Sequence, residues 1–203
     1  DRFAGWNVGV LARAPQDGLV LNARSAYTAP VSGGVTDLGD LTLGMGKVWD
    51  GGGGTDDWNT AANWNDDIVP SEEDDVYIPV TATVRISYYG NTINSLRSDG
   101  ALTLAAGELA IKRDGIVRNT LHVQGGDLNI SDAITVTGVF SWTGGTLIGS
   151  GRAVAAGVLT LDGDGRFLDG VTLANHGAGA WRNGNIYLVN GAVFENAAGA
   201  TLE

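Results

Sequence analysis

Carboxylates carry most of the chemistry this sequence could perform: 23 Asp and Glu stand against 12 Lys and Arg, with two His and no Cys. Two acids are notable for their placement. Glu108 and Asp127 each follow a glycine, Gly107 and Gly126, in two short segments of the same pattern. In one outward column of a coiled chain their positions would be about 5 Å apart, near the separation at which two carboxyl groups hydrolyse a glycosidic bond. Two stacked acids could instead share a Ca²⁺. A solvated polar stripe is the plainer reading and the favoured one. The column continues as Thr146, Arg166 and Asn185, and no basic or aromatic groove recurs beside it.

The acid run Glu72, Glu73, Asp74 and Asp75 is denser, and with Asp66 and Asp67 it would offer a Ca²⁺ site. Such runs are more often solvated loops. Asp162-Gly-Asp-Gly165 starts like a calcium loop but lacks the third ligand position and the distal Glu, so it reads as a turn. His122 and His176 stand in separate segments with no Ser or Cys nucleophile motif near them, and His122 alternates with Leu121 and Val123 toward solvent. Gly51 to Gly54 are not followed by Gly-Lys-Ser/Thr and so make no phosphate loop. Trp142 and Trp181 could be sugar platforms, but they sit in an apolar column where core packing is the better account. No catalytic residue is assigned, no enzyme is expected, and Ca²⁺ is the sole cofactor considered.

The elements that position these residues follow from a repeat. Gly107, Gly126, Gly145, Gly165 and Gly184 each open a Gly-x-apolar triplet, and their numbers advance in nearly equal steps. A second column, Leu104, Val123, Trp142, Leu161 and Trp181, keeps the same period. Two positions earlier stand Leu102, Leu121, Phe140 and Leu159, with Gly179 as the exception. Each unit thus reads apolar-x-apolar, a short break, Gly-x-apolar, then a further alternating run such as Ile134-Thr-Val136 or Val171-Thr-Leu173. Alternation marks strands with one buried face. A unit this short cannot bury its own apolar face and must stack on its neighbours. The expected fold is therefore all-β, a parallel β-helix (β-solenoid) with turns of about 19–20 residues. The repeated glycines bend the chain between strand faces, where φ turns positive. Leucine-rich repeats, propeller blades and nonapeptide calcium rolls fit the spacing less well.

Composition agrees. Glycine supplies 32 of 203 residues, well above the usual share of about 7%. At 43% hydrophobic and 17% charged, the chain is not compositionally disordered. A net charge of −11 would repel phosphate backbones, so nucleic acid is an unexpected partner. No apolar run approaches the ~20 residues of a membrane-spanning helix, so no membrane insertion is expected of this segment. The lack of Cys excludes disulfides and thiolate metal sites and fits an exported protein.

Three regions are expected. Residues 1–44 read as a few antiparallel strands, with alternation in Trp6-Asn-Val8-Gly-Val10 and Leu19-Val-Leu21 and turns at Pro15–Gly18 and Ser32–Gly34. The stretch from Ala26 to Leu43 resembles the last strands of Ig-like and carboxypeptidase-regulatory-like modules of bacterial surface proteins. Residues 45–80 are rich in Trp, Gly and Asp and read as a lid or entry segment, in which Trp49, Trp58 and Trp64 would cover the open solenoid end. Residues 81–203 are the solenoid, expected as five or six turns.

Trp-x-Gly at 49–51, Trp58 to Asn63-Trp64 and Pro70-x-x-x-Asp-x-Val76 resemble the entry segment of autotransporter-like and adhesin-like proteins. Gly138–Gly151, Ala180–Ile186 and Asn190–Asn196 resemble β-helix repeats of the same large secreted bacterial proteins. The resemblance implies an extracellular or cell-surface location and a structural, fibre or adhesin role. It also implies contacts with neighbouring modules, with further copies end to end, or with surface glycans. An incomplete first module and a turn just beginning at Ala200-Thr-Leu202 lead us to expect a longer parent chain and a self-assembling filament subunit. The alternative is a β-helix polysaccharide lyase or hydrolase, or a carbohydrate-binding module.

Overall fold

Alternating apolar residues separated by tight corners give short strands, and a computed structural model describes where they go for residues 11–16, 19–24 and 44–203. The chain divides into two units, residues 1–46 and residues 47–203. In the first, Leu11–Gln16 pairs antiparallel with Leu19–Arg24, which also pairs with Gly44–Met45. Leu19-Val-Leu21 is therefore in a strand, as its alternation indicates. The expected strand at Trp6–Val10 and the stretch Ala26–Leu43 with its turn lie outside the described residues.

The second unit is the β-solenoid. Three parallel sheets of eight, seven and six strands run its length. From Asp75–Ile78 onward, successive strands visit the eight-, seven- and six-stranded sheets in rotation, as Ser95–Ser98, Ala101–Leu104 and Glu108–Ile111 do in one turn. Each strand pairs in parallel with its counterpart one turn away. Val123 lies opposite both Leu104 and Trp142, and Trp142 opposite Leu161. Strands of three or four residues alternate inward and outward side chains, most of them with every second residue buried. The inward positions form continuous ladders. Leu109, Leu128, Leu147 and Leu168 stack along one sheet, and Leu102, Leu121, Phe140 and Leu159 along another, all with no solvent exposure. Each such side chain gives about 1.5–3 kcal/mol on burial.

Corner geometry explains the recurring glycine. Gly107, Gly126 and Gly145 have φ of +70°, +70° and +79°. A Cβ on Gly126 would lie 2.4 Å from the Gly107 carbonyl oxygen of the turn below. Both the dihedral and the close approach of stacked corners exclude a side chain there.

The solenoid begins earlier than expected. Lys47–Val48 already pairs in parallel with Val76–Tyr77, and Asp75–Ile78 with Ser95–Ser98, so the lid region contributes strands to the eight-stranded sheet. Between those strands the chain folds over the first coil. Trp58 and Trp64 are fully buried and Trp49 nearly so, with edge-to-face ring centroids 4.8 and 5.1 Å apart. The Trp64 indole donates to the Trp58 carbonyl at 2.8 Å. Buried Asn63 accepts from the Gly53 amide and donates to Thr55 Oγ1 and the Asp57 carbonyl. The lid also caps a strand edge: Trp58 donates its amide to the Arg85 carbonyl, and the Arg85 amide donates to Asp56. Trp49, Trp58 and Trp64 thus form an apolar cover.

One corner corrects the column reading. Leu161 pairs with Trp142 and Arg166 with Gly145, so four residues, 162–165, stand where the turn below has only Thr143 and Gly144. The longer corner places Arg166, rather than Gly165, opposite Gly145. A one-residue slip inverts the faces of a strand. The outward column is therefore Glu108, Asp127, Thr146, Phe167 and Tyr187, not a column containing Arg166 and Asn185. Phe167 and Tyr187 stack outside with centroids 5.0 Å apart, while Arg166 is wholly buried. Gly165 and Gly184 keep positive φ, +72° and +74°, but Gly184 stacks over Gly163, whose carbonyl oxygen would lie 1.9 Å from an added Cβ.

Trp181 also departs from expectation. Leu104, Val123, Trp142 and Leu161 are fully buried, but Trp181 is 38% exposed. Thr201–Leu202 pairs with Ala178 and Gly179 but not with Trp181, whose indole meets Phe194 edge-to-face at 6.0 Å and donates to the Gly184 carbonyl at 2.9 Å.

Candidate functional site

Glu108 and Asp127 are register partners on adjacent turns of the six-stranded sheet, both half-buried and outward-facing. The expected juxtaposition is present. Their continuation is Thr146 and then the Phe167–Tyr187 stack, so no third carboxylate joins the pair along the column.

The four acids of the 72–75 run are used separately. Asp74 accepts from both the amide and the hydroxyl of Ser71, at 2.7 and 2.8 Å. Asp75 accepts from the Asn94 amide at 2.7 Å and from the Ser95 hydroxyl. Glu72 pairs with Lys112 at 3.2 Å across an exposed surface, and Glu73 also has a partner. Asp66 is bound by Lys47 at 2.7 Å, and that hydrogen bond holds its pKa below the ordinary value. Among the described residues no group of three or more His, Asp or Glu side chains is arranged to hold a metal.

His122 faces outward with Nε2 3.3 Å from Thr143 Oγ1 and Nδ1 3.3 Å from the Gln124 amide. Burial lowers its pKa. No carboxylate orients the ring through either contact, and His176 is exposed in another turn. Trp142 lies in the lumen and is closed to a sugar. Asp162 caps its own corner by accepting from the Gly163 amide at 2.8 Å.

The most developed polar constellation stands apart from the paired acids, on another sheet. Tyr77 and Arg97 are register partners on the outer face of the eight-stranded sheet, and the Arg97 guanidinium lies 5.1 Å from the Tyr77 ring centroid. Asp99 gathers three donors. Arg97 Nη2 reaches its Oδ2 at 2.9 Å, the Tyr77 hydroxyl the same oxygen at 3.1 Å, and Arg118 Nη1 its Oδ1 at 2.9 Å. Burial opposes the charged form of Asp99, but the bonds from Arg118, Arg97 and Tyr77 outweigh it, so its pKa is lowered. Burial and the neighbouring Asp99 raise that of Tyr77. Beside this cluster is an open cleft of about 700 Å³, walled by Val80, Asn119, Gly138 and Val139. A sequence signal for it exists: Arg118 follows Asp99 at one solenoid period.

The arrangement offers no nucleophile next to a base and no acid pair within the cleft; it offers positioned cations, one amide and apolar walls. Comparison with known protein families, with curated proteins and with solved structures returned no match.

Proposed function

We propose that this chain is a structural segment of an extracellular bacterial surface protein, a stalk, fibre or adhesin element, and not an enzyme. The observation that carries the reading is the parallel stacking of three sheets around a lumen filled mainly with apolar side chains. Such a rod converts few residues into length and stiffness, because every turn is bonded to the next along all three sides. Supporting it, among the described residues the acids of the 72–75 run are held in separate local contacts, and the one convergent cluster, around Asp99, places its carboxylate against three donors with no nucleophile beside a base.

The lid bears on how copies would meet. An end-to-end filament in which the last turn pairs with the first turn of a second copy would have to displace Trp58 and its bonds to Arg85. We therefore favour a stalk or adhesin segment joined to neighbouring modules over a filament subunit. Electron microscopy of the native material tests this. Discrete rods, or rods continuous with other modules of one chain, are expected; fibres built from repeated copies would overturn the preference for a stalk.

The register pairing of Glu108 with Asp127 keeps a second reading in view, a glycoside-cleaving β-helix. Polysaccharide cleavage that disappears in Glu108→Gln or Asp127→Asn would establish it in place of the structural role.

A further inference from the structure

We propose that the cleft beside Arg97, Asp99 and Arg118 binds the carboxylate of a glycan that ends in a single acidic sugar. Two guanidinium groups share one carboxylate there, so the cluster keeps one uncompensated positive charge on a chain whose net charge is −11. Asp99 already accepts three hydrogen bonds and has little capacity left. Arg118 does have capacity. It commits only Nη1 to Asp99, and its side chain is 46% exposed. A carboxylate matches the planar fork of a guanidinium, and such charge-assisted bonds are about twice as strong as neutral ones.

The site is also pre-formed. Arg97 is held on the Tyr77 ring and on Asp99, so little side-chain freedom is lost on binding. Val80 and Val139, exposed on the walls, present apolar surface to the C–H face of a sugar, and Asn119 adds an amide for a hydroxyl. Gly138 keeps one wall to bare backbone, since a Cβ there would lie 1.8 Å from the Asn119 carbonyl oxygen. The cleft volume of about 700 Å³ lies within the range of small-molecule sites and admits more than one sugar ring. One residual charge suits one carboxylate. A polyanionic chain would meet the acidic surface elsewhere, which favours a single terminal acidic residue over a polyuronate.

This inference goes beyond the mechanical role and is tested without it, by an NMR titration of the isolated chain. The probes are 3′-sialyllactose and methyl glucuronide, with lactose and sodium acetate as controls. Expected are saturable shifts of the Arg97, Arg118, Asn119 and Val139 amides with a Kd in the millimolar range, from about 0.1 to 10 mM. Lactose and acetate should leave these amides in place at the same concentrations. Arg118→Gln should weaken binding about tenfold or more with an unchanged circular dichroism spectrum, and Arg113→Gln, an exposed change outside the cleft, should not. Absence of saturation by either acidic probe, equal binding of acetate or lactose, or full affinity in Arg118→Gln would overturn the proposal.

Discussion

Arg166 stands opposite Gly145 in the parallel ladder and projects into the lumen at a position where the turn below has no side chain. Its guanidinium lies between two indoles, 5.8 Å from the Trp142 ring and 5.5 Å from that of Trp181. Nη2 donates to the Asn183 carbonyl at 2.7 Å, while Nε and Nη1 have no partner. Burial lowers its pKa, against the opposing pull of Asp162 and Asp164. A buried cation without a bonded carboxylate recovers only part of its desolvation cost from aromatic faces.

Replacing this cation with an apolar chain of similar length should therefore stabilise the solenoid. Arg166→Met is expected to gain about 1 kcal/mol, which for a chain of this size corresponds to roughly 2–4 °C in Tm. Thermal denaturation followed by circular dichroism measures it. A lower Tm would mean that the two indole contacts and the Asn183 bond outweigh the cost of burial.

The corner glycines should divide into two classes. Gly126→Ala combines a positive φ with a carbonyl 2.4 Å from the new Cβ, and should cost at least about 2 kcal/mol. Gly165→Ala has a similar φ of +72° but nothing within 4 Å, so only the dihedral cost of about 1 kcal/mol remains. Urea midpoints of the two variants should differ in that order, and equal midpoints would remove stacked-corner crowding as an explanation.

Truncating the lid should act on stability and on association together. Trp64→Ala removes a buried ring, two edge-to-face contacts and the bond to the Trp58 carbonyl, for a loss of about 3–5 kcal/mol. It also loosens the cover over the Thr83–Ile86 edge, and an unprotected edge recruits other strands. Light scattering after size exclusion should detect oligomers in the variant that the parent chain lacks.

Asp99 makes a pH prediction with a definite sign. Its folded-state pKa lies below the ordinary 3.8, so its contribution is fully present above that value and is lost as the pH falls through the lower folded one. The stability difference between the parent chain and Asp99→Asn should be constant near neutral pH and shrink below about pH 4. Denaturation curves at pH 7, 4 and 3 test this; a gap that widens in acid would contradict it.

Much of this was legible because a solenoid writes its contacts into sequence spacing. The repeat period alone set Leu104, Val123 and Trp142 in one column and Glu108 beside Asp127. Its register failed at one corner, for a physical reason. Glycine marks a bend but does not count the residues in it, and the longer corner at 162–165 preserved a Gly-x-apolar triplet while moving it one step along the ladder. That step put Arg166 inside and Phe167 outside. The cluster around Asp99 was missed differently. Its members are unlike in type, and only Arg118 is one full period from Asp99. Tyr77 joins because strand register, which no single residue type signals, sets it beside Arg97.

The position of the Trp lid gives the fold a direction in time. Trp49, Trp58 and Trp64 precede the full turns in the chain, and each later strand bonds to its counterpart one turn earlier. A ribosome adding about 5–20 residues per second would complete a turn every one to four seconds. Each turn could then dock on a surface already made, with no wait for distant chain. A rod assembled in this order has a single growing end, which presents one strand edge from each of the three sheets.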